Sequence, residues 1–169
     1  MLLLRSYSHG STIFLYYFIK KGMHFFRKTS YDINGIQNIK NEFNGYQWYF
    51  KQNQKILNHL NTFVRDSFML IDIPKFNGNK GCYRNGFDAL NKKIIIESTK
   101  HYINTWPFNS NPYNLHGDLS IDNIIYNSNE NSITFIDWEH YTQSKSIPWG
   151  FDILHLLFET LYFNWKKRN

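Results

Sequence analysis

Three polar side chains in the last third of the chain carry the chemistry most visible in this sequence. Asp118 and Asn123 lie in His116-Gly117-Asp118-Leu119-Ser120-Ile121-Asp122-Asn123, and Asp137 lies in Ile136-Asp137-Trp138-Glu139. An amide and a carboxylate are hard oxygen ligands, and magnesium takes a few of these and completes its shell with water and phosphate oxygens. A second carboxylate beside such a cation can accept the proton of an attacking hydroxyl. With Asn123 and Asp137 converging where Asp118 projects, the set suits metal-assisted transfer of a phosphoryl group. Taken singly, each residue also fits an ordinary polar turn, because Asp and Asn favour loop ends.

The elements that must position these groups are legible at both ends of the chain. Asn123-Ile124-Ile125-Tyr126 reads as a short strand, residues 127–131 as a turn, and Ile133-Thr134-Phe135-Ile136 as the returning strand. That hairpin brings Asp137 back beside Asn123. A loop with Pro148 and Gly150 then leads into a helix from Phe151 to Trp165, on which Ile153, Leu154, Leu157, Phe158 and Leu161 form one apolar face. At the other end, residues 6–11 read as a polar turn and Ile13 to Ile19 as a strand. Lys20-Lys21-Gly22 turns the chain into a second arm, Met23 to Thr29. Alternation along that arm sets Phe26 and Lys28 on one face, Phe25 and Arg27 on the other. Asp32 to Gly35 reads as a loop, and from Ile36 a helix carries Ile39, Phe43, Tyr46 and Phe50 at helical spacing, widened by Trp48. The middle is less regular. Phe68 to Ile71 and Ile73 to Phe76 suit strands, with Pro74 forcing an edge or an end. Asn77 to Gly81 is a turn, Ile94-Ile95-Ile96 suits strand or helix, and Trp106 to Tyr113, with Pro107 and Pro112, is loop.

The ordered set His116-x-Asp118-x-x-x-x-Asn123 followed by Ile136-Asp137-Trp138-Glu139 resembles the signature of the aminoglycoside phosphotransferase and choline kinase group, relatives of the protein kinases. Trp149-Gly150-Phe151-Asp152-Ile153-Leu154 resembles the same group's Gly-x-x-Asp-Leu segment. The resemblance implies that Asp118 is the catalytic base and that Asn123 and Asp137 hold magnesium. It implies too that His116 orients the loop by hydrogen bonding and that Asp152 braces it. Glu139 is a lesser candidate for a role at the metal or the acceptor.

The group's fold implies a glycine-containing turn over the nucleotide, a lysine from the third strand and a glutamate from the following helix. Gly10 in Ser8-His9-Gly10-Ser11-Thr12, Lys28 and Glu42 stand at those places, and Arg27 competes with Lys28 because a register slip exchanges the faces. A solvated strand lysine and a surface glutamate are the plainer alternative for Lys28 and Glu42. The implied architecture is α+β: a protein-kinase-like two-lobe fold with a small β-rich amino lobe, residues 1–76, and a reduced, mostly helical carboxy lobe, residues 77–169. The stretch from Glu42 to His116 looks compressed for such a fold, without a convincing hinge strand between Phe68 and Cys82.

Composition narrows the alternatives. Of the 169 residues 42% are hydrophobic and 19% aromatic, enough apolar material for a core, which excludes disorder by composition. The net charge of +6 favours anionic partners, but the basic residues are dispersed, which argues against a nucleic-acid surface. A single cysteine, Cys82, excludes an internal disulfide and a cysteine-based zinc site. No apolar run approaches the length of a membrane span, so the expected setting is cytoplasmic. The leading expectation is an ATP- or GTP-dependent, magnesium-assisted phosphotransferase acting on a hydroxyl of a small molecule, of the amino alcohol, sugar or aminoglycoside class. A catalytically impaired or truncated kinase-like remnant is the alternative, and a basic nucleic-acid-binding protein is the third.

Overall fold

The structure, a computed structural model, describes residues 1–8 and 12–168, and the side chains of residues 1–4 and 12–162. It is α+β, and its contacts divide it into two units: Met1–Lys75 with Trp138–His140, and Phe76–Asp137 with Tyr141–Asn169.

The first unit is built on a five-stranded antiparallel sheet. Its strands are β1 (Leu2–Ser8), β2 (Thr12–Lys20), β3 (Met23–Ser30), β4 (Asn61–Arg65) and β5 (Phe68–Pro74), in the order β1-β2-β3-β5-β4. β1 opens on three consecutive leucines and runs into the Ser6–Ser8 segment expected to turn. Lys21 and Gly22 take positive φ angles of 50° and 75°, which is how a two-residue loop closes the β2–β3 hairpin. Pro74 is the last residue of β5, where its missing N–H costs no ladder bond. A single strand therefore replaces the two short ones expected in the middle. β4 has no counterpart among the strands expected from the sequence.

Helix α1 (Ile33–Tyr49) packs on β3 and β5, and the four-residue α2 (Gln54–Leu57) follows. The expected loop at residues 32–35 is instead the first turn of α1, since Asp32 acts as its N-cap. The Asp32 carboxylate accepts from the amides of Gly35 (2.8 Å) and Thr12 (2.6 Å). Those amides, Gly35's first, hold its carboxyl below the usual range. Ile13, Ile39, Tyr46, Met69, Ile71 and Ile73 form the core between helix and sheet, and Phe25, on the Arg27 face, is buried against Phe18.

Residues 138–140 return to this unit beside α1. Trp138 is fully buried, with its ring centroid 5.1 Å from that of Tyr49 and 6.4 Å from that of Tyr46. Gly45 makes room for it: a β-carbon there would lie 2.6–2.9 Å from three Trp138 side-chain atoms. Gly45→Ala should therefore destabilise the protein by about 1–2 kcal/mol, although alanine is the better helix former by about 1 kcal/mol. Thermal unfolding reads the sign directly. A raised Tm would mean that Trp138 does not occupy this seat.

The second unit joins two long helices to two small sheets. Helix α3 (Ala89–Thr105) settles Ile94-Ile95-Ile96 as helical. Its N-cap Asp88 accepts from the Asn91 amide at 2.7 Å. The short strand β6 (Asn79–Lys80), within the expected 77–81 turn, pairs with β8 (Ile124–Asn127), which pairs with β9 (Ser132–Phe135). Strands β7 (Tyr113–Leu115) and β10 (Thr142–Ser144) form a separate ribbon. Helix α4 (Phe151–Arg168) buries Asp152, Leu156 and Thr160, spaced by four residues. Its phase is set by Asp152, so Leu154, Phe158 and Leu161 of the expected apolar face lie more than half exposed. Among the described residues no helix is long and apolar enough to cross a membrane.

Candidate active site

In the second unit the β8–β9 hairpin positions the ends of the chemical motifs. Ile124 faces Phe135, and one step further the Ile136 amide donates to the Asn123 carbonyl at 2.9 Å. The Ile136 carbonyl in turn meets Nε2 of His116 at 2.9 Å, so that nitrogen carries the proton. Ile136 is thus held at both of its backbone polar groups. Asp137 then leaves the strand with φ 67°, a left-handed conformation that costs a side-chain-bearing residue about 1–2 kcal/mol. Such strain persists only where the surroundings dictate it, and it gathers at functional sites.

The loop from His116 to Asn123 is fixed mainly through its backbone. The buried Asp152 carboxylate accepts from the amides of His116 (2.9 Å) and Gly117 (3.0 Å), one oxygen to each. Burial pushes the Asp152 carboxyl above its usual range, and the two amides pull it back in part. Gly117 has φ 85°, which a glycine adopts without cost. The Asp118 carbonyl accepts from the Ser120 amide and from Nδ2 of Asn123, both at 3.0 Å. The half-buried Asp118 therefore sits on a backbone that its own side chain does not have to hold. Asn123, itself buried, spends its amide nitrogen on the loop, leaving its oxygen as the atom of ligand chemistry.

Glu159 on α4 is a neighbour that the sequence did not signal. Its carboxyl is pushed up by burial, and further by the negative charges of Asp118 and Asp122, with His155 opposing. Two helical turns separate Glu159 from Asp152, so once Asp152 docks on the loop the helix carries Glu159 into its electrostatic range.

In the first unit the strand register separates the two competing cations. Arg27 stands opposite Asp72 and pairs with it through Nε at 2.6 Å and Nη2 at 2.9 Å. That bidentate contact keeps the guanidinium charged and raises its pKa. Lys28, on the other face between Leu15 and Ile71, is buried. Its ammonium lies 2.9 Å from Oε2 of Glu42 on α1 and 2.7 Å from Oε1 of Glu139. Glu42 is fully buried, so it is not the surface glutamate of the plainer alternative.

The structure thus pairs Lys28 with Glu42, ties Asp152 to the His116-Gly117 backbone, and joins Asn123 to the carbonyl of Asp118. Gly10 lies outside the described residues. Glu139 as a partner of Lys28 was not read from sequence, although it sits within the Ile136–Glu139 motif. No protein-family model matches the chain, and no curated protein matches it significantly.

Proposed function

We propose that this protein is a magnesium-dependent phosphotransferase of protein-kinase-like, two-lobe architecture. It moves the terminal phosphoryl group of ATP or GTP to a hydroxyl of a small molecule, of the amino alcohol, sugar or aminoglycoside class. The observation that carries the reading is the buried Lys28–Glu42 pair. A lysine on the third strand of an antiparallel sheet, fixed by a glutamate on the helix that follows, is the arrangement that aims an ammonium at nucleotide phosphates. Burying both charges adds little net stability, because well-packed apolar residues would serve the fold as well. The pair is better accounted for by a use than by stability.

In this reading Lys28 meets the phosphates and Glu42 holds it, and Gly10 keeps the nucleotide-covering role that the resemblance implies. Asn123 and Asp137 hold magnesium, which when bound neutralises phosphate charge. Asp118 takes the proton from the acceptor hydroxyl as its oxygen bonds to the terminal phosphorus. The bond to the bridging oxygen breaks, and the nucleoside diphosphate leaves. His116 and Asp152 keep the loop in shape throughout.

Nucleotide with magnesium should raise the stability of the native protein by about 2.7 kcal/mol at a hundredfold excess over the dissociation constant. Asp137→Ala should abolish the metal dependence of that shift. If neither ATP nor GTP moves the unfolding temperature, the transferase reading falls and a non-catalytic remnant takes its place. Where a shift is seen, a panel of hydroxyl acceptors assayed for nucleotide consumption identifies the substrate.

A further inference from the structure

We propose that Glu139 is a second positioning residue for Lys28, forming with Glu42 a two-carboxylate clamp on its ammonium. This rests on the reading that Lys28 meets phosphate. Charge balance alone does not call for Glu139, since Glu42 already matches the single positive charge and a second carboxylate adds negative charge beside it. Its side chain is nevertheless only 12% exposed and lies nearer to Nζ than Glu42 does, at 2.7 Å against 2.9 Å.

Glu139 is also held from behind. Its carbonyl accepts from Nδ2 of Asn41 on α1 at 3.1 Å, and the preceding Trp138 is seated against Gly45 one turn further along the same helix. The same helix therefore presents one carboxylate and anchors the segment that delivers the other, 111 residues after Lys28. A lysine ammonium is a compact charge on a flexible four-carbon stem. One carboxylate fixes its distance from the helix and leaves the stem free to swing about that contact. Two carboxylates from different segments restrict the swing and fix the direction of the bond that carries the ammonium.

The test reads Lys28 itself in the intact protein. Labelling by an amine-directed acylating reagent at fixed pH is followed by peptide mass spectrometry, with the exposed Lys40 as internal reference. Loss of one charge-assisted contact should let the ammonium leave its seat more often, so Glu139→Gln should raise Lys28 labelling by about tenfold relative to Lys40. Glu42→Gln should act similarly, and the double variant should exceed both. An unchanged Lys28 rate in Glu139→Gln overturns the clamp. Should that variant fold poorly, Glu139→Asp serves instead, because it keeps the charge but shortens the reach. The clamp predicts faster Lys28 labelling there as well, and no change would equally overturn it.

Turnover supplies the second readout. Glu139→Gln should lower kcat by about tenfold and change the nucleotide KM by less than about threefold, a split that loosening of the fold does not produce. An unchanged kcat overturns the positioning role. Protection of wild-type Lys28 by magnesium nucleotide tests the underlying reading separately. Faster labelling in Glu139→Gln without such protection keeps the clamp and removes the nucleotide.

Discussion

Asp118→Ala should lower turnover by about 10²–10⁴-fold while nucleotide still binds and the protein still folds. The fold is expected to survive because the loop grips Asp118 by its carbonyl, which alanine retains: the Ser120 amide and Asn123 Nδ2 both donate to it at 3.0 Å. Removing the carboxylate also relieves Glu159, whose carboxyl the Asp118 charge helps to push up. Asp118→Asn is the sharper variant, since it keeps the shape and removes only the basicity. It should be about as inactive as alanine if proton acceptance is the role. Equal loss of nucleotide binding and turnover in both variants would place Asp118 among the ligands of the nucleotide or its metal, and would contradict its assignment as base. Single-turnover kinetics with thermal shifts on the same samples separate these outcomes.

How far the sequence disclosed this arrangement depended on whether the signal was local. The β2–β3 hairpin announced itself through β-branched and aromatic runs around Lys21-Gly22, and β8–β9 through two apolar runs around an Asn-rich turn. The His116–Asn123 and Ile136–Glu139 motifs were legible because their polar residues keep a fixed spacing. What escaped was set by tertiary partners. Asp32-Ile33-Asn34-Gly35 has the composition of a turn, and only its bonds to Gly35 and Thr12 make Asp32 a helix cap. β4 carries no buried residue, so Asn61 to Arg65 shows none of the alternation that marks a half-buried strand. The choice between Arg27 and Lys28 was open for the same reason. A one-residue slip exchanges their faces, and the register that decides it is fixed by β5, forty-five residues away at Asp72. Glu139 shows the limit most plainly, since nothing in a motif says which distant lysine its last carboxylate will meet.

The phase of α4 was lost similarly, and Asp152 explains why. Hydrophobic periodicity alone would turn Leu154, Leu157, Phe158 and Leu161 inward, yet the helix instead buries the face on which Asp152 lies. Two charge-assisted bonds to otherwise unsatisfied amides outweigh a few exposed aliphatic groups. Leaving one buried N–H unpaired costs about 1–3 kcal/mol, whereas an exposed leucine forgoes a gain of similar size without creating a penalty. Asp152→Ala should therefore destabilise the protein by about 2–4 kcal/mol, and should lower turnover as well because the His116-Gly117 backbone loses its support. Asp152→Asn should fall between alanine and wild type, since its one amide oxygen still accepts from one of the two amides while its NH2 leaves the other unpaired, and it carries no charge to bury. The pH dependence distinguishes the two forces. A carboxyl whose folded pKa is raised favours the native state while it is protonated, and that contribution is lost as pH rises through the raised value. Wild-type stability should thus fall relative to Asp152→Asn as pH climbs through and above the ordinary carboxylate range. Denaturant unfolding of both proteins across that range measures the difference. Parallel curves would mean that burial does not govern this carboxyl, and the loop would then owe its shape to His116 and Asn123 instead.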